Sequence, residues 1–413
     1  MKKTILFLAL GILFCPFGFS YAQRYLQPVF PNFKITDGIE YGKARNLGGQ
    51  EEILKLDVFE PEGDTARLRP LLIWAHGGSF IAGDRKQMEV VQFARAFAKM
   101  GYVTASIDYR KGIDQAAALS GKGPEELLKA ALRAMQDGRA AVRYFKRSAA
   151  EGGNPYRIDT SRIMFGGSSA GAFIALHSAY LNRQDELAQH SRYSSELYNA
   201  VGGSLEGASG NPGYSSRFKG VINLCGALGL AKWLEAGEVP VINMHGDADN
   251  IVPYRGGAAG QPSLGIAVPV EGSFLIHEQA QKVGVKSFLH TWAGKDHVPY
   301  ATDTNERNFT IAFLTPRIYE ILFDKPASVN PSHKLSTITL YPNPAHSQIK
   351  VNFSTPLSGT WEICNTNGQV LQKNTFTHSQ ELFIERSLGT PHGLYFLRVQ
   401  TTEGVFQQKF IWE

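Results

Sequence analysis

Hydrophobic and polar positions change rhythm along the chain, and the change divides it. From about Glu51 to Asp324, strand-like runs alternate with helical spacings. Leu54, Leu56 and Val58 alternate with polar neighbours, as in a half-exposed strand. Leu71-Leu72-Ile73-Trp74-Ala75 is instead a continuous apolar run, the signature of a parallel strand buried on both faces. Val90 to Met100 has helical spacing and stops at Gly101, Tyr102 to Ile107 reads as a strand, and Pro124 to Ala149 reads as a long helix with proline at its start. A strand at Phe165 and a helix from Ala172 follow. Strands near Val221 to Leu224 and Val239 to Met244 come next, then a helix near Phe274 to Val283. A strand from Ser287 to Trp292 and a helix near Asn308 to Phe323 close the series. Repeated strand-then-helix order predicts an α/β domain: a mostly parallel sheet with helices on both faces.

Residues 325–336 (KPASVNPSHKLS) lose this pattern and gain proline and serine, so they read as a linker. Beyond it the period becomes two. Ile349, Val351 and Phe353 alternate, as do Trp361 and Ile363, Leu382 and Ile384, and Tyr395, Leu397 and Val399. Turn residues such as Asn367-Gly368 separate the runs, which predicts a small all-β sandwich over residues 337–413. At the other end, Lys2 and Lys3 precede an apolar run from Ile5 to Phe14 and the small residues before Gln23. That grammar is a secretory signal peptide over residues 1–22, cleaved after Ala22. The run is shorter than the roughly 20 residues of a spanning helix, so no transmembrane span is expected. A lipid on Cys15 is disfavoured by bulky Phe14. Residues 23–324 then form the catalytic domain of an exported protein.

Composition changes this picture little. The chain of 413 residues is 43% hydrophobic and 19% charged, an ordinary globular balance. Its formal charge is +5, and without Lys2 and Lys3 the balance is 40 basic against 37 acidic residues. No basic stripe stands out, which argues against nucleic-acid binding. The mature chain keeps Cys225 and Cys364, placed in different domains, so stability rests on the core rather than on a disulfide framework. No His, Cys or Asp cluster has metal-ligand spacing, and no metal or cofactor is expected.

Candidate chemistry concentrates at four loops. Gly167-Ser168-Ser169-Ala170-Gly171 falls between an apolar strand and a helix and fits G-x-S-x-G centred on Ser169. A serine on a strained strand-to-helix turn needs glycine two positions away on each side; Ser169 has Gly167 and Gly171 there, whereas Ser168 has Gly166 and Ala170. His76-Gly77-Gly78-Ser79 follows the Leu71 strand, where small residues let backbone N–H groups turn toward a developing negative charge. Gly77 and Gly78, with Ala170 just after the nucleophile, are the candidate oxyanion donors. An acid and a base should follow in the order Ser, Asp, His. His245-Gly246-Asp247-Ala248-Asp249 lies after the Val239 strand; Asp249 reads as the acid, and Asp247 as a turn residue bonding its own backbone. Gly294-Lys295-Asp296-His297 offers His297 as the base, since His290 lies inside a strand and His177 inside a helix.

Residues from about 40 to 323 resemble α/β-hydrolases of the carboxylesterase and lipase type, through HGGSF, DYR (Asp108 to Arg110), QDGRAAVRY (Gln136 to Tyr144), GGSSAG, HGDADNIVP and GKDH. The resemblance implies the α/β-hydrolase fold, structural roles for Asp108 and Arg110, and a serine esterase. Ser79 stands where hormone-sensitive-lipase-like members carry a third glycine, and the elbow is not their Gly-Asp-Ser-Ala-Gly. The last residues resemble the sorting domain of the type IX secretion system, through Tyr341-Pro342-Asn343-Pro344, Asn367-Gly368-Gln369-Val370, Gly393-Leu394-Tyr395-Phe396 and Lys409-Phe410-Ile411.

Together these readings predict a secreted or cell-surface serine carboxylesterase, exported through the periplasm, with the type IX machinery as partner of its C-terminal domain. Its substrates would be small-molecule or polymer-attached esters of short-chain or aromatic acids, hydrolysed through an acyl-enzyme on Ser169. No extended apolar stretch flanks the motifs, so short acyl chains are expected to react faster than long ones. The alternatives are a prolyl-oligopeptidase-like serine peptidase and a non-catalytic surface binding protein on a hydrolase scaffold. Residues 182–216 are either a cap lined by Tyr193, Tyr198 and Tyr214 or an exposed polar loop.

Overall fold

The apolar run at Leu71 lies in the middle of a sheet. In the computed structural model, which describes residues 24–261, 265–324, 339–365, 370–401 and 404–413, strand β3 (Arg69–Ala75) is buried at every position. It pairs in parallel with β4 (Val103–Ile107) on one side and β5 (Ile158–Ser168) on the other. Next to β5 come β6 (Gly220–Leu224), β8 (Val241–Gly246) and β11 (Ser287–Trp292), all parallel. Beyond β4 lie β2 (Glu51–Pro61) and then β1 (Phe33–Arg45), both antiparallel to their neighbours. Among the described residues the sheet order is β1-β2-β4-β3-β5-β6-β8-β11.

Alternate side chains of the central strands enter two cores, because successive residues of a strand point to opposite faces. Leu71, Ile73, Phe165 and Val221 join one core with α2 (Gly123–Glu151) and α3 (Ala170–Tyr180). Leu72, Trp74, Met164 and Ile222 join the other with α1 (Met88–Lys99) and α6 (Thr304–Phe323). Helix α6 begins four residues before the expected start because the Asp303 side chain accepts the N–H groups of Asn305 and Glu306, an N-cap that apolar spacing alone does not show. Helix α4 (Ser273–Lys282) precedes β11, and the short α5 (Pro299–Thr302) follows it.

Two elements escape the periodicity. Strand β1 carries register shifts near Gly38 and Gly42, which break its alternation. A hairpin of β9 (Gly256–Gln261) and β10 (Ile266–Gly272), joined by the two-residue β7 (Ala227–Leu228), forms a small separate sheet. The β9 sequence Gly-Gly-Ala-Ala-Gly-Gln has none of the branched or aromatic residues by which strands are recognised.

The chain divides into two compact units, Met1–Ala327 and Ser328–Glu413. In the second, β13 (Gln348–Asn365) pairs antiparallel with β12 (Thr339–Tyr341) through its first half and with β15 (Gly393–Thr401) through its second. Strand β14 (Val370–Glu385) runs along it, and β16 (Gly404–Trp412) closes against β15. The alternating residues Ile349, Val351, Ile363, Leu382, Ile384, Leu397 and Val399 are buried in one core. Two of the sequence markers meet there: the Asn343 side chain accepts the Ile411 N–H at 3.0 Å, and Ala345 N–H donates to the Ile411 carbonyl at 2.8 Å. The signal-peptide segment 1–22, the linker 325–336 and the marker residues Asn367, Gly368 and Gln369 lie outside the described residues. Among those described, no helix is long and apolar enough to cross a membrane.

Candidate active site

Ser169 sits at the turn between β5 and α3 with φ 51° and ψ −118°, a sparsely populated positive-φ conformation that costs a non-glycine residue about 1–3 kcal/mol. The strain is held in place by close backbone approach. A Cβ at Gly167 would fall on the backbone of Gly171, and one at Gly171 would fall on the carbonyl of Ala75. The two glycines flanking Ser169 are therefore required by packing. The neighbouring Ser168 points inward instead: it is fully buried, and its Oγ lies 2.5 Å from the Tyr300 hydroxyl on α5.

His297 and Asp249 come to Ser169 from the ends of two other strands. The loop after β11 places His297 Nε2 2.8 Å from Ser169 Oγ. Its Nδ1 lies 2.6 Å from Asp249 Oδ2, so Nδ1–H donates to the carboxylate and Nε2 is free to accept the serine proton. The loop after β8 holds Asp249, the candidate acid. Asp249 Oδ1 accepts the N–H groups of Ile251 at 2.9 Å and Val252 at 2.8 Å, and Oδ2 lies 3.1 Å from His245 Nε2. Burial alone would raise this carboxyl, but hydrogen bonds from His245 and His297, the charge of His297 and the Val252 N–H hold it well below the usual carboxylate range. Asp247 is exposed and accepts the Gly294 N–H at 2.6 Å, a tie between loops that does not reach His297.

The loop after β3 passes beside this group. Gly78, Ser79 and Phe80 all have positive φ, of 111°, 54° and 60°. Ser79, Phe80 and Ala170 line the pocket at Ser169, whereas Gly77 and Gly78 do not; Gly77 is packed against the Glu89 carboxylate and Gly78 against the Ala82 backbone. The His76 ring is buried, stacks on Tyr109 at 4.3 Å and lies 2.6 Å from the Gly77 carbonyl; burial lowers its pKa to about 4, so it is a neutral loop support. Beneath the loop, Arg85 bridges Asp57 and Asp108, and Arg110 forms a buried pair with Asp137. Asp108 and Arg110 thus act on the scaffold.

From Ser169 an apolar pocket extends between α2, α3 and the β9–β10 hairpin, walled by Leu128, Met135, Phe173, Trp233, Val268 and Val270 among others. Two histidines reach it, but both are spent on the backbone. His177 Nδ1 lies 2.8 Å from the Phe173 carbonyl and its Nε2 accepts the Gly229 N–H, while burial lowers its pKa to about 4. His190 Nε2 faces the Pro269 carbonyl and Nδ1 accepts from Arg192 N–H. Both rings therefore present faces, not free polar atoms. Of residues 182–216, Leu187 and His190 line the pocket. None of the three tyrosines does: Tyr198 packs in the core and Tyr214 bonds Glu151 at the surface.

Several residues at this edge carried no signal in the sequence. Asp296 accepts the N–H groups of both Asn250 and His297, fastening the Asp249 and His297 loops together. His245 and Ser273 back Asp249, and Tyr300 anchors the His297 loop to Ser168. His245 and Asp296 lie inside the quoted motifs, but partners this far apart in sequence are not legible there. Cys225, His245 and Asp249 place possible metal-ligand atoms within 4.8 Å. Burial pushes the Cys225 thiol pKa upward, and the carboxylate already accepts four N–H groups, so this donor set is built for hydrogen bonding rather than for a cation.

Residues 56–202 match the family model BD-FAE, and residues 339–413 match the secretion system C-terminal sorting domain. A curated relative, gut esterase 1 of Caenorhabditis elegans, is 28% identical over 91 residues, which is 22% of this chain and 15% of that protein. Among solved structures, Thermogutta terrifontis esterase 2 phosphorylated by paraoxon is similar at 19% identity, with a TM-score of 0.49, over 70% of this chain and 94% of that one. The propionate-bound form of the esterase from the same organism is similar at 19% identity and a TM-score of 0.48, over 71% and 95%. The chain is built from an esterase-type α/β-hydrolase domain followed by a type IX secretion sorting domain, the kind that marks proteins for export to the cell surface or the extracellular space.

Proposed function

We propose that the chain is a secreted serine carboxylesterase in which Ser169, His297 and Asp249 are nucleophile, base and acid. The observation that carries this reading is the continuous chain of contacts from Ser169 Oγ to His297 Nε2 and from His297 Nδ1 to Asp249 Oδ2. As Ser169 Oγ attacks the ester carbonyl, its proton passes to His297 Nε2, and Asp249 stabilises the imidazolium that forms. The oxygen that gains charge is met by the Ala170 N–H and by the Gly77–Gly78 loop. The imidazolium gives its proton to the leaving alcohol, which departs and leaves an acyl group on Ser169. Water then attacks, His297 takes its proton, and the acid leaves as Ser169 is restored.

The apolar pocket beside Ser169 suits the acyl group, and its histidine polar atoms are already engaged. That favours short-chain or aromatic acids over charged or polyhydroxylated ones. The ester is small or attached to a polymer, as befits an enzyme acting outside the cell.

The test is a fluorophosphonate probe together with p-nitrophenyl acetate and butyrate. The wild type should be labelled and turn over both esters; Ser169→Ala should lose label and turnover, while Ser168→Ala keeps both. Persistent labelling of Ser169→Ala, or no ester turnover by the wild type, would overturn the proposal.

A further inference from the structure

Asp249 is held by two histidines, and the mechanism uses only one. His245 lies at the end of β8, four residues before the acid, with its side chain fully buried. Its Nε2 is 3.1 Å from Asp249 Oδ2 and 3.0 Å from the Val252 carbonyl. Both neighbours are acceptors, so Nε2 carries the hydrogen. Its Nδ1 is 2.8 Å from Ser273 Oγ. That hydroxyl accepts from Asn223 Nδ2 at 2.9 Å and directs its own hydrogen to Nδ1, the nearer of its two acceptors, the Gly226 carbonyl lying at 3.5 Å. Asn223 is in turn fixed by the Gly226 N–H and by Asn243 Oδ1. A directed chain therefore runs from Asn223 through Ser273 and His245 to the oxygen that His297 also uses.

We propose that His245 is a positioning residue for the ester hydrolysis: by donating Nε2–H to Asp249 Oδ2 it fixes that oxygen beneath His297 and takes up part of its charge. The inference rests on the reading of Ser169, Asp249 and His297 as the triad. Its consequence has a sign. A shared carboxylate stabilises the His297 imidazolium less than an unshared one does. Without the His245 donor the Asp249 oxygen should hold the His297 imidazolium more firmly, and the acidic limb of the pH profile should move upward, because the base must be neutral to act.

Other groups surround the pair, and the variants below leave them in place. Cys225 follows β6 and stays a thiol, and Tyr300 on α5 is pushed well above the usual phenol range by burial. Asp296 sits beside His297 with its carboxylate on backbone N–H groups, Glu89 approaches from α1, and Lys295 pairs with Glu306. The Tyr254 ring meets His245 edge to face, with centroids 5.8 Å apart.

Asparagine and glutamine separate position from bulk. In His245→Asn the amide ends at the place of Nδ1, toward Ser273, and cannot reach Asp249; in His245→Gln it extends to the place of Nε2. His245→Asn should lower kcat for p-nitrophenyl butyrate by about 10- to 100-fold, with KM within about twofold, and raise the acidic limb by about half to one pH unit. His245→Gln should recover most of the rate and return the limb close to the wild type. Equal behaviour of the two variants, or a limb unmoved in His245→Asn, would overturn the proposal. If His245→Asn does not fold, Ser273→Ala replaces it: removing the donor to Nδ1 should move the limb in the same direction by less, and an unmoved limb again decides against the role. Fluorophosphonate labelling separates the two failures. Absence of label on wild-type Ser169 defeats the triad itself; a labelled wild type with an unmoved limb defeats only His245.

Discussion

The proposed catalytic edge and the apolar pocket meet at Ser169 but are built by opposite means. The edge is four loop segments at the ends of parallel strands, where such sheets place their sites. Its Ser169, His297, Asp249, His245 and Asp296 side chains are bonded to one another or to backbone, and its backbone is strained at Ser79, Phe80, Ser169 and Val298. The pocket is walled by side chains from α2, α3 and the β9–β10 hairpin, and its two histidines are closed off by carbonyls and N–H groups. One region holds atoms by directed hydrogen bonds; the other offers shape and an apolar surface. Reaction type should therefore depend on the first and acyl preference on the second.

The sharpest test of that separation is at the edge. His297→Ala should lower kcat by about 10⁴-fold or more, and Asp249→Asn by about 10³- to 10⁴-fold, because the neutral amide loses the charge that orients the imidazole. Asp247→Asn should stay within about threefold, since Asp247 serves only the Gly294 N–H. Steady-state turnover of p-nitrophenyl acetate measures all three, and a larger loss for Asp247 would move the acid by two residues.

At the pocket the expected effect is smaller and selective. Trp233→Leu removes bulk from the pocket wall and should shift the octanoate-to-acetate ratio of kcat/KM by about tenfold toward the longer chain. Acetate turnover should change little. Equal losses on both esters would mean that the pocket and the chemistry are not separable.

Acid should reach two buried histidines, His177 in the pocket wall and His76 in the loop after β3, before it reaches Asp249. Burial lowers the pKa of both His177 and His76 to about 4. Between that value and the ordinary histidine pKa of about 6.5, the unfolded chain binds protons that the folded rings refuse, so stability falls as pH drops through this window and is regained above it. Each ring contributes at most about 1.4 kcal/mol per pH unit there. Urea midpoints between pH 4 and 7 should show the slope, and His177→Gln should flatten it; an unchanged slope would place the cause elsewhere.

The least effect is expected from losing the C-terminal unit. Edge and pocket both lie within the first unit, so a chain ending at Asp324 should keep turnover within about twofold of the longer one. In the native host, loss of residues 335–413 should leave active enzyme in the periplasm. A folded but inactive shortened enzyme would show that the second unit contributes to the site.

The sequence by itself determined the central strands, the flanking helices and the alternating β unit, because burial on one or two faces writes a period into the residues. It also marked the tight turn at Ser169, since glycine at 167 and 171 answers a local steric demand. Tertiary structure decided the rest. Strand β9 exists through its pairing with β10 and not through its own residues. The pocket joins Leu128, Trp233 and Val268, which are neighbours only after the helices dock on the sheet. His245, Ser273 and Asp296 act through partners that the chain brings together from separate strands and loops. Local sterics and burial leave a trace in the order of residues; a hydrogen bond between distant loops leaves none until the fold sets its length.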